Sequence, residues 1–550
     1  MADRKNDRAA LRWLFRRTKG QRGALLVIIA GNAVFAAAGA AFALFCRGII
    51  DSAVNGDGGG IVRYSLLLGG FVLVQLGLRL VCNTLSERVA AKTEMNIRGE
   101  LFAKLLSAEL GPLREYHSGE LLNRMFSDVK ICADGIADII PSAVNLLTGL
   151  VCAGTLMILL EPWFAAVFIA AGAALFLVTR FFRSRLKGMH KRVQEKEGRV
   201  RSFLQEAVES AAVIKVFGAE QKMCRRNDEN QQEHYKSRMK RRAVGIIAGA
   251  GFGLVFQAGY VLALIWGAYG IFTGGMTYGT LTAVLQLVNQ IQSPFAGLSA
   301  LFPHYYAACA SAERIMELEA LPAEKKPEKT LDYGEFTELR VRNVRFSYGR
   351  NDVITRADLT IKKGGITALT GISGGGKSTL FMLLLGAYRP QEGSIEFLTA
   401  EGAYPPGRST RGLFAYVPQG NGLFSGTVRE NIAFMGDPAD DKGIMAAARA
   451  ACAEGFIREL PDGLETVIGE NGAGLSEGQA QRIAVARALS SGAGFLLLDE
   501  ATSALDEAAE SELLRNIAAM DGKTVLIVTH RPAALSICDR RITIKDGVIE

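Results

Sequence analysis

Residues 371–379 read GISGGGKST. They follow the apolar run ITALT, residues 366–370, and open the helical run LFMLLLG, residues 380–386. The spacing is GxxxxGK[ST], with Gly371, Gly376, Lys377 and Ser378 at the fixed positions and Ser373, Gly374, Gly375 and Thr379 completing the loop. Glycines let successive backbone N–H groups curl around phosphate oxygens. The N-terminus of the following helix adds a partial positive charge. In such a loop Lys377 reaches the β- and γ-phosphates and Ser378 ligates Mg²⁺. Fixed positions this few recur by chance in glycine-rich chains, so the strand–loop–helix context carries the inference.

Two further stretches fit the same chemistry. FLLLDE, residues 495–500, is an apolar strand ending in two carboxylates. Asp499 at the strand end suits Mg²⁺ through oxygen ligation, and Glu500 suits a general base that polarises an attacking water. A lone Asp-Glu pair is more often a solvated turn; beside a phosphate loop that account weakens. His530, at the end of TVLIVTHR, residues 524–531, is placed to sense a γ-phosphate. Around these lie more short β-type runs, ELRVRNVRFSY (338–348) and RITIKDG (541–547), alternating with helical stretches. That alternation predicts an α/β domain with a largely parallel core sheet.

The rest of the chain is of another kind. The 550 residues carry a net charge of +8, with 49% hydrophobic and 21% charged residues, and the apolar ones crowd before residue 320. This excludes a disordered chain, a collagen or a small disulfide scaffold. The eight cysteines include no CxxC pair and the five histidines no HExxH spacing, so they predict neither a disulfide framework nor a zinc site. A membrane-crossing helix needs roughly 20 apolar residues. Six stretches qualify or nearly so: residues 24–46, 64–82, 136–160, 163–178, 244–272 and 278–302. The loops 53–60, 161–162 and 273–278 carry no Lys or Arg. The opposite side carries Arg12, Arg16, Arg17, Lys92, Arg98, Arg183, Lys222, Arg241 and others. Lys and Arg accumulate on the cytoplasmic side, so both termini are predicted there. The positive balance follows from that rule and needs no nucleic-acid partner.

The two cytoplasmic connections are long, with apolar residues at helical spacing, so the spans are expected to continue as helices beyond the membrane. LRWLFRRTKGQ, residues 11–21, reads as an interfacial helix touching membrane lipid. Gln286, Asn289, Gln290 and Ser293 recur at three- and four-residue spacing just before Pro294. They predict a polar face lining a substrate cavity; the competing account is interhelical hydrogen bonding, worth about 0.6 kcal/mol each. Arg79 near the end of the second span is explained by snorkelling. Residues 318–336, with Pro322, Pro327 and several lysines, read as a surface linker. The expected division is a transmembrane domain over 1–318, a linker over 319–336 and a nucleotide-binding domain over 337–550.

LSEGQAQRIAVARAL, residues 475–489, resembles the signature sequence of ATP-binding cassette proteins, which other phosphate-loop nucleotidases lack. Six spans followed by one cassette look like an exporter-type (type IV) half-transporter. The resemblance implies several roles. Tyr348 in FSYG matches the aromatic that stacks on adenine. Gln419 in YVPQ matches the glutamine that contacts Mg²⁺ and faces the membrane domain. Ser476, Gly478 and Gln479 match signature residues that close on the ATP of the other subunit, and Asp506 in SALD matches the D-loop aspartate. TVIGENG, around Glu470, resembles the exporter X-loop. YHSGELLNRM and VFGAEQKM resemble the short coupling helices at the tips of the long loops.

The family pattern implies a dimer that binds ATP and Mg²⁺ and exports cargo by alternating access across a bacterial-type plasma membrane, with the nucleotide-binding domain in the cytoplasm. A homodimer is favoured over a heterodimer because every hydrolytic residue is present. Two departures stand out. Glu477 occupies a signature position that is usually glycine, where a carboxylate can weaken closure by repulsion. Relatives usually continue with a helical tail past the position of Glu550, and nothing resembling a peptidase domain precedes the first span. Lipids, amphipathic drugs and hydrophobic peptides all fit as cargo. The alternatives are an exporter-shaped importer of a metal chelate and a non-transporting ATP-gated channel or regulator; intact Glu500 and His530 argue against the latter.

Overall fold

The computed structural model describes residues 2–549 apart from 325, 328, 350, 373 and 521. Side chains at 2–7, 168–187, 190, 191, 248, 252, 293–296, 298–300 and 351 also lie outside the described set. Ser373 and the side chain of Ser293, both singled out above, therefore fall outside it. The chain divides into two compact units, Met1–Phe102 with Leu121–Leu318, and Ala103–Glu120 with Glu319–Glu550.

Helices form the first unit: α1 (Ala2–Arg17), α2 (Arg22–Val54), α3 (Gly58–Ser107), α4 (Val129–Leu160), α5 (Pro162–Glu209), α6 (Glu220–Phe272) and α7 (Tyr278–Glu319), with α3 running on into the second unit. The last six each contain one of the predicted spans. All of these but α2 extend beyond the span on the charged side, as the helical spacing implied. Lys19–Val54, Gly58–Ser107, Ser118–Leu160 and Glu220–Phe272 are long and apolar enough to cross a membrane among the described residues. The fourth and sixth predicted spans include side chains outside that set. Short turns reverse the chain on the uncharged side. Pro162 opens α5 at its first position, where a missing N–H costs nothing. Short helices Ser118–Asn123 and Ala211–Val216 stand at the tips of the two long connections.

A polar triad joins the start of α4 to the end of α7. A single π-turn, Arg124–Asp128, leads into α4. The buried Asp128 carboxylate accepts from Arg314 Nε at 2.7 Å and Nη2 at 2.5 Å, and from the Ser311 hydroxyl at 2.9 Å. Arg124, also buried, donates to the Arg314 carbonyl at 2.7 Å and to Glu317 at 2.9 Å. A carboxylate this deep persists only because its lone pairs are taken.

The second unit is α/β. Its strands are β1 (Phe336–Tyr348), β2 (Asn351–Lys362), β3 (Gly365–Gly371), β4 (Glu392–Thr399), β5 (Ala403–Tyr404), β6 (Phe414–Val417), β7 (Gly426–Thr427), β8 (Val467–Ile468), β9 (Phe495–Asp499), β10 (Thr524–Val528), β11 (Arg540–Lys545) and β12 (Val548–Ile549). Ten form one sheet in the order β5-β4-β1-β2-β12-β11-β3-β10-β9-β6. The half from β11 to β6 is parallel, as expected. The half holding β1, β2, β4 and β5 is antiparallel; its charged, alternating strands do not read as buried parallel ones. The longer helices are α8 (Lys377–Leu384), α9 (Asp441–Ala450), α10 (Glu477–Ser490) and α11 (Glu507–Ala518).

Alternation sorts the core. Phe495 and Leu497 of β9, with Leu526 and Val528 of β10, pack on the face holding Leu380, Phe381 and Leu384 of α8. Leu496, Leu498, Val525 and Ile527 pack on the opposite face with Ile483 and Ala484 of α10 and Leu513 of α11. Each such side chain contributes about 1.5–3 kcal/mol by leaving water. Within the same unit, residues 103–120 bond to the linker: Glu109 N–H donates to Pro322 O, and Glu324 N–H to Ser107 O, both at 2.9 Å.

The triad gives a stability prediction. Asp128→Ala removes both carboxylate hydrogen bonds of Arg314 and should cost about 1–3 kcal/mol, read as a lower thermal midpoint of the chain in detergent. An unchanged midpoint would show that the triad contributes nothing.

Candidate nucleotide site

The three strands nearest the loop set its geometry. β10 pairs in parallel with β3 and β9, with Val528 opposite both Leu369 and Asp499. The loop after β3, the Asp499–Glu500 pair after β9 and His530 after β10 therefore leave the sheet along one edge. Ligands of open parallel sheets bind at that edge.

In the loop, Gly374 and Gly376 take left-handed φ of 78° and 98°, a region that favours glycine. Gly376 precedes α8 directly. Lys377 is 6% exposed, and its ammonium donates to the carbonyls of Gly371 at 2.8 Å and Ile372 at 2.9 Å. The lysine thus ties its helix back to the start of the loop. Thr379 lies behind it, its hydroxyl 3.3 Å from that of Tyr348. The Tyr348 ring is half exposed and packed edge-on against Phe346 and Tyr388. Tyr388 accepts from Arg114 at 2.8 Å.

Asp499 is 2% exposed. Burial pushes its carboxyl above the usual range, while hydrogen bonds from Ser378 and Tyr416 pull it back down. The Tyr416 hydroxyl lies 3.4 Å away, and burial raises its own pKa. Ser378 and Asp499, predicted to share a metal, are thus side by side. Glu500 sits at φ 52°, a strained setting for a residue with a Cβ, and its carboxylate accepts from the Gln419 amide at 3.1 Å. His530 is exposed at the same edge.

The signature residues are organised separately. Ser476 and Gln479 form a capping box on α10: Gln479 N–H donates to the serine hydroxyl at 3.3 Å, and Ser476 N–H to the glutamine carbonyl at 2.9 Å. A Cβ on Gly478 would lie 2.8 Å from the Ala504 carbonyl, so the close approach of segment 501–506 requires glycine there. Asp506 caps α11 through Ala509 N–H at 2.8 Å. Glu477 is exposed in the first turn of α10. Among the described residues no hydrogen bond joins Ser476, Gly478 or Gln479 to the phosphate loop.

The polar stripe of α7 is divided. Gln290 donates to the Gly39 carbonyl of α2 at 2.6 Å, and Asn289 to its own helix at Leu285. The Gln286 amide oxygen is buried and has no hydrogen-bond partner among the described residues.

Sequence reasoning passed over Tyr416, although a tyrosine in the short strand FAYV needs a partner for its polar tip. It also passed over Gln481, Glu510 and Arg531, which have no chemistry of their own to mark them.

Residues 25–295 match the family described as "ABC transporter transmembrane region", and residues 354–503 match "ABC transporter". The chain is 30% identical over 551 residues to an ATP-dependent lipid A-core flippase of Chromobacterium violaceum, covering 99% of this chain and 94% of that protein. It is 31% identical over 465 residues to ABC transporter B family member 1 of Dictyostelium discoideum, covering 82% of this chain but half (50%) of that longer protein. It is also 29% identical to a probable multidrug resistance ABC transporter ATP-binding/permease protein, YheI, of Bacillus subtilis, over 83% of this chain and 79% of that one. A solved bacterial Atm1-family ABC exporter with ATP bound has a TM-score of 0.80 at 24% identity, over 98% of this chain and 94% of that one; this likeness concerns the fold. The chain belongs to the ABC transporter family, as a multi-pass exporter half with an ATP-binding and ATP-hydrolysing cytoplasmic cassette.

Proposed function

We propose that the chain works as a dimer of half-transporters in a bacterial-type plasma membrane, exporting an amphipathic or hydrophobic solute. Two ATP molecules lie head to tail between the cassettes, each held by the phosphate loop of one chain and the signature helix of the other. The observation that carries this reading is the separation of the two halves within one chain: a phosphate loop and carboxylate pair at one sheet edge, and a capped signature helix with no hydrogen bond to that loop among the described residues.

The residues divide the work. N–H groups of 371–379 and Lys377 bind phosphate oxygens, and Lys377 exchanges its two loop carbonyls for them. Tyr348 stacks on the base, worth about 1–3 kcal/mol. The all-oxygen set of Ser378 and Asp499, with Gln419 nearby, fits a hard divalent cation. Mg²⁺ held there would neutralise charge developing on the phosphates. Glu500, oriented by Gln419, takes the proton of the attacking water, and His530 donates to the γ-phosphate. Ser476, Gly478 and Gln479 complete the partner's site, with Asp506 fixing the segment beside them. A cation held by Asp499 would supply the counter-charge that its burial calls for. For the cargo, Gln286 and Asn289 are the better cavity candidates, because the Gln290 amide already serves the Gly39 carbonyl.

The ATPase rate of the chain in lipid nanodiscs tests the assignment. Glu500→Gln should lower steady-state hydrolysis by about 10²–10⁴-fold while retaining affinity for a fluorescent ATP analogue. Unchanged turnover would remove Glu500 from the role of base. Lys377→Ala should abolish binding of the same analogue, and wild-type affinity there would show that phosphates bind elsewhere.

A further inference from the structure

A network of polar side chains, with Glu510 and Gln481 buried and Arg531 half-buried, ties the edges of the site together through three residues not assigned above. Arg531 follows His530 directly. Its Nη1 donates to the Leu505 carbonyl at 2.8 Å and to Glu510 at 3.0 Å, and its Nη2 to the Ser503 carbonyl at 2.7 Å. Glu510, on α11, is 2% exposed, and its second oxygen accepts from the Thr502 hydroxyl at 2.8 Å. From the other side Gln481, on α10 and 4% exposed, donates to the Ser503 hydroxyl at 2.8 Å and accepts from Ala504 N–H at 3.0 Å. One turn earlier on α10, Gly478 is pressed against the Ala504 carbonyl.

Segment 502–506 is therefore gripped from three directions: by the loop carrying His530, by α11, and by the helix that Ser476 caps. Holding a loop in place alone does not require an ion pair on a buried carboxylate, which apolar packing replaces at equal or better stability. A planar guanidinium that addresses two carbonyls and a carboxylate fixes orientation as well as position. Because the bonds share residues 503–505, a shift of residue 531 displaces that segment, and its displacement moves Gln481. Groups packed and hydrogen-bonded through shared residues in this way shift together.

We propose that Arg531, Glu510 and Gln481 are positioning residues that lock the His530 loop, segment 502–506 and the signature helix into one piece, so that the state of one nucleotide site sets the geometry of the other. The inference rests on the head-to-tail arrangement proposed above. There, His530 serves the ATP of its own chain and Ser476 the ATP of its partner, so the locked piece spans both sites. Gln481 touches neither nucleotide; it acts through the backbone of 503 and 504.

The test uses the full chain in nanodiscs holding one or two copies. Two-copy discs should hydrolyse ATP cooperatively and one-copy discs should be silent. Equal activity per chain in both would overturn the head-to-tail reading itself and the coupling with it. In two-copy discs, Gln481→Leu and Glu510→Gln should each lower kcat by about 10²-fold, the order expected from a displacement near 1 Å. Each should also turn the ATP dependence hyperbolic. Affinity for the fluorescent analogue should stay within about twofold, and Gln481→Glu should recover part of the cooperativity. If Glu510→Gln fails to fold, Gln481→Leu remains decisive, because it keeps volume and introduces no charge. A folded Gln481→Leu chain with wild-type kcat and cooperativity would overturn the proposal, as would a loss of analogue affinity in proportion to kcat, which marks a merely structural role.

Discussion

The register of three adjacent parallel strands governs the site. With Val528 opposite both Leu369 and Asp499, the loop at 371–379, the carboxylates at 499 and 500 and the histidine at 530 reach the same edge without any contact having to be built for that purpose. The register is fixed by burial on two faces. Leu496 and Leu498 point one way and Phe495 and Leu497 the other. In a strand, a slip of one residue would exchange the faces and move every side chain. It would also carry Asp499 away from Ser378, leaving a buried carboxylate without its donors.

Much of this could be read from residues alone, because the informative stretches are those where composition and conformation are tightly linked. Apolar runs of five with glycine or acid at the end leave little choice beyond a buried strand and a functional edge. The six long helices were legible for the same reason, since lipid demands continuous apolar sequence with every backbone group satisfied internally. The antiparallel half of the sheet was harder. β2, DVITRADLTIK in residues 352–362, carries charges on a partly exposed face and resembles a loop with helical propensity as much as a strand. The grouping of residues 103–120 with the cassette was not legible at all. It depends on pairings such as Arg389 with Glu109 at 2.6 Å and Glu324 with Arg411 at 2.7 Å, between residues far apart in sequence and individually unremarkable on a charged surface.

Polar groups in the helical unit follow a stricter rule than those on the cassette. Asp51 near the end of α2 accepts from Gly279 N–H at 2.9 Å and from the Thr277 hydroxyl at 3.1 Å, so it caps α7. Arg79 lies over the ring of Phe35, 5.9 Å from its centre. Gln290 serves a backbone carbonyl that its own helix leaves with a free lone pair. These are structural uses, and they explain why a stripe read from spacing mixes positions of different kinds. Side-chain spacing identifies a face of a helix. Whether that face meets a neighbour or a cavity depends on the other helices, and at Gln286 the buried amide oxygen finds no partner among the described residues.

Glu477 brings the two levels together. In isolation a carboxylate in the first turn of α10 is favourable, since it faces the positive end of the helix dipole, worth about 0.3–1 kcal/mol when exposed. Glycine at the same position would cost roughly 1 kcal/mol of helix propensity relative to alanine. The substitution therefore stabilises the separate chain. The same positive pole, with Ser476 and the first N–H groups of the helix, is what a partner's phosphate would approach in the closed sandwich. In the head-to-tail dimer proposed above, the carboxylate and the phosphate would compete for one pole, and the gain made in the open chain would become a cost on closure. The side chain is exposed and free to turn outward, so the cost is set by screening and by how far it swings. Stability of the isolated signature helix and ease of closing it on ATP are therefore opposed at this one residue.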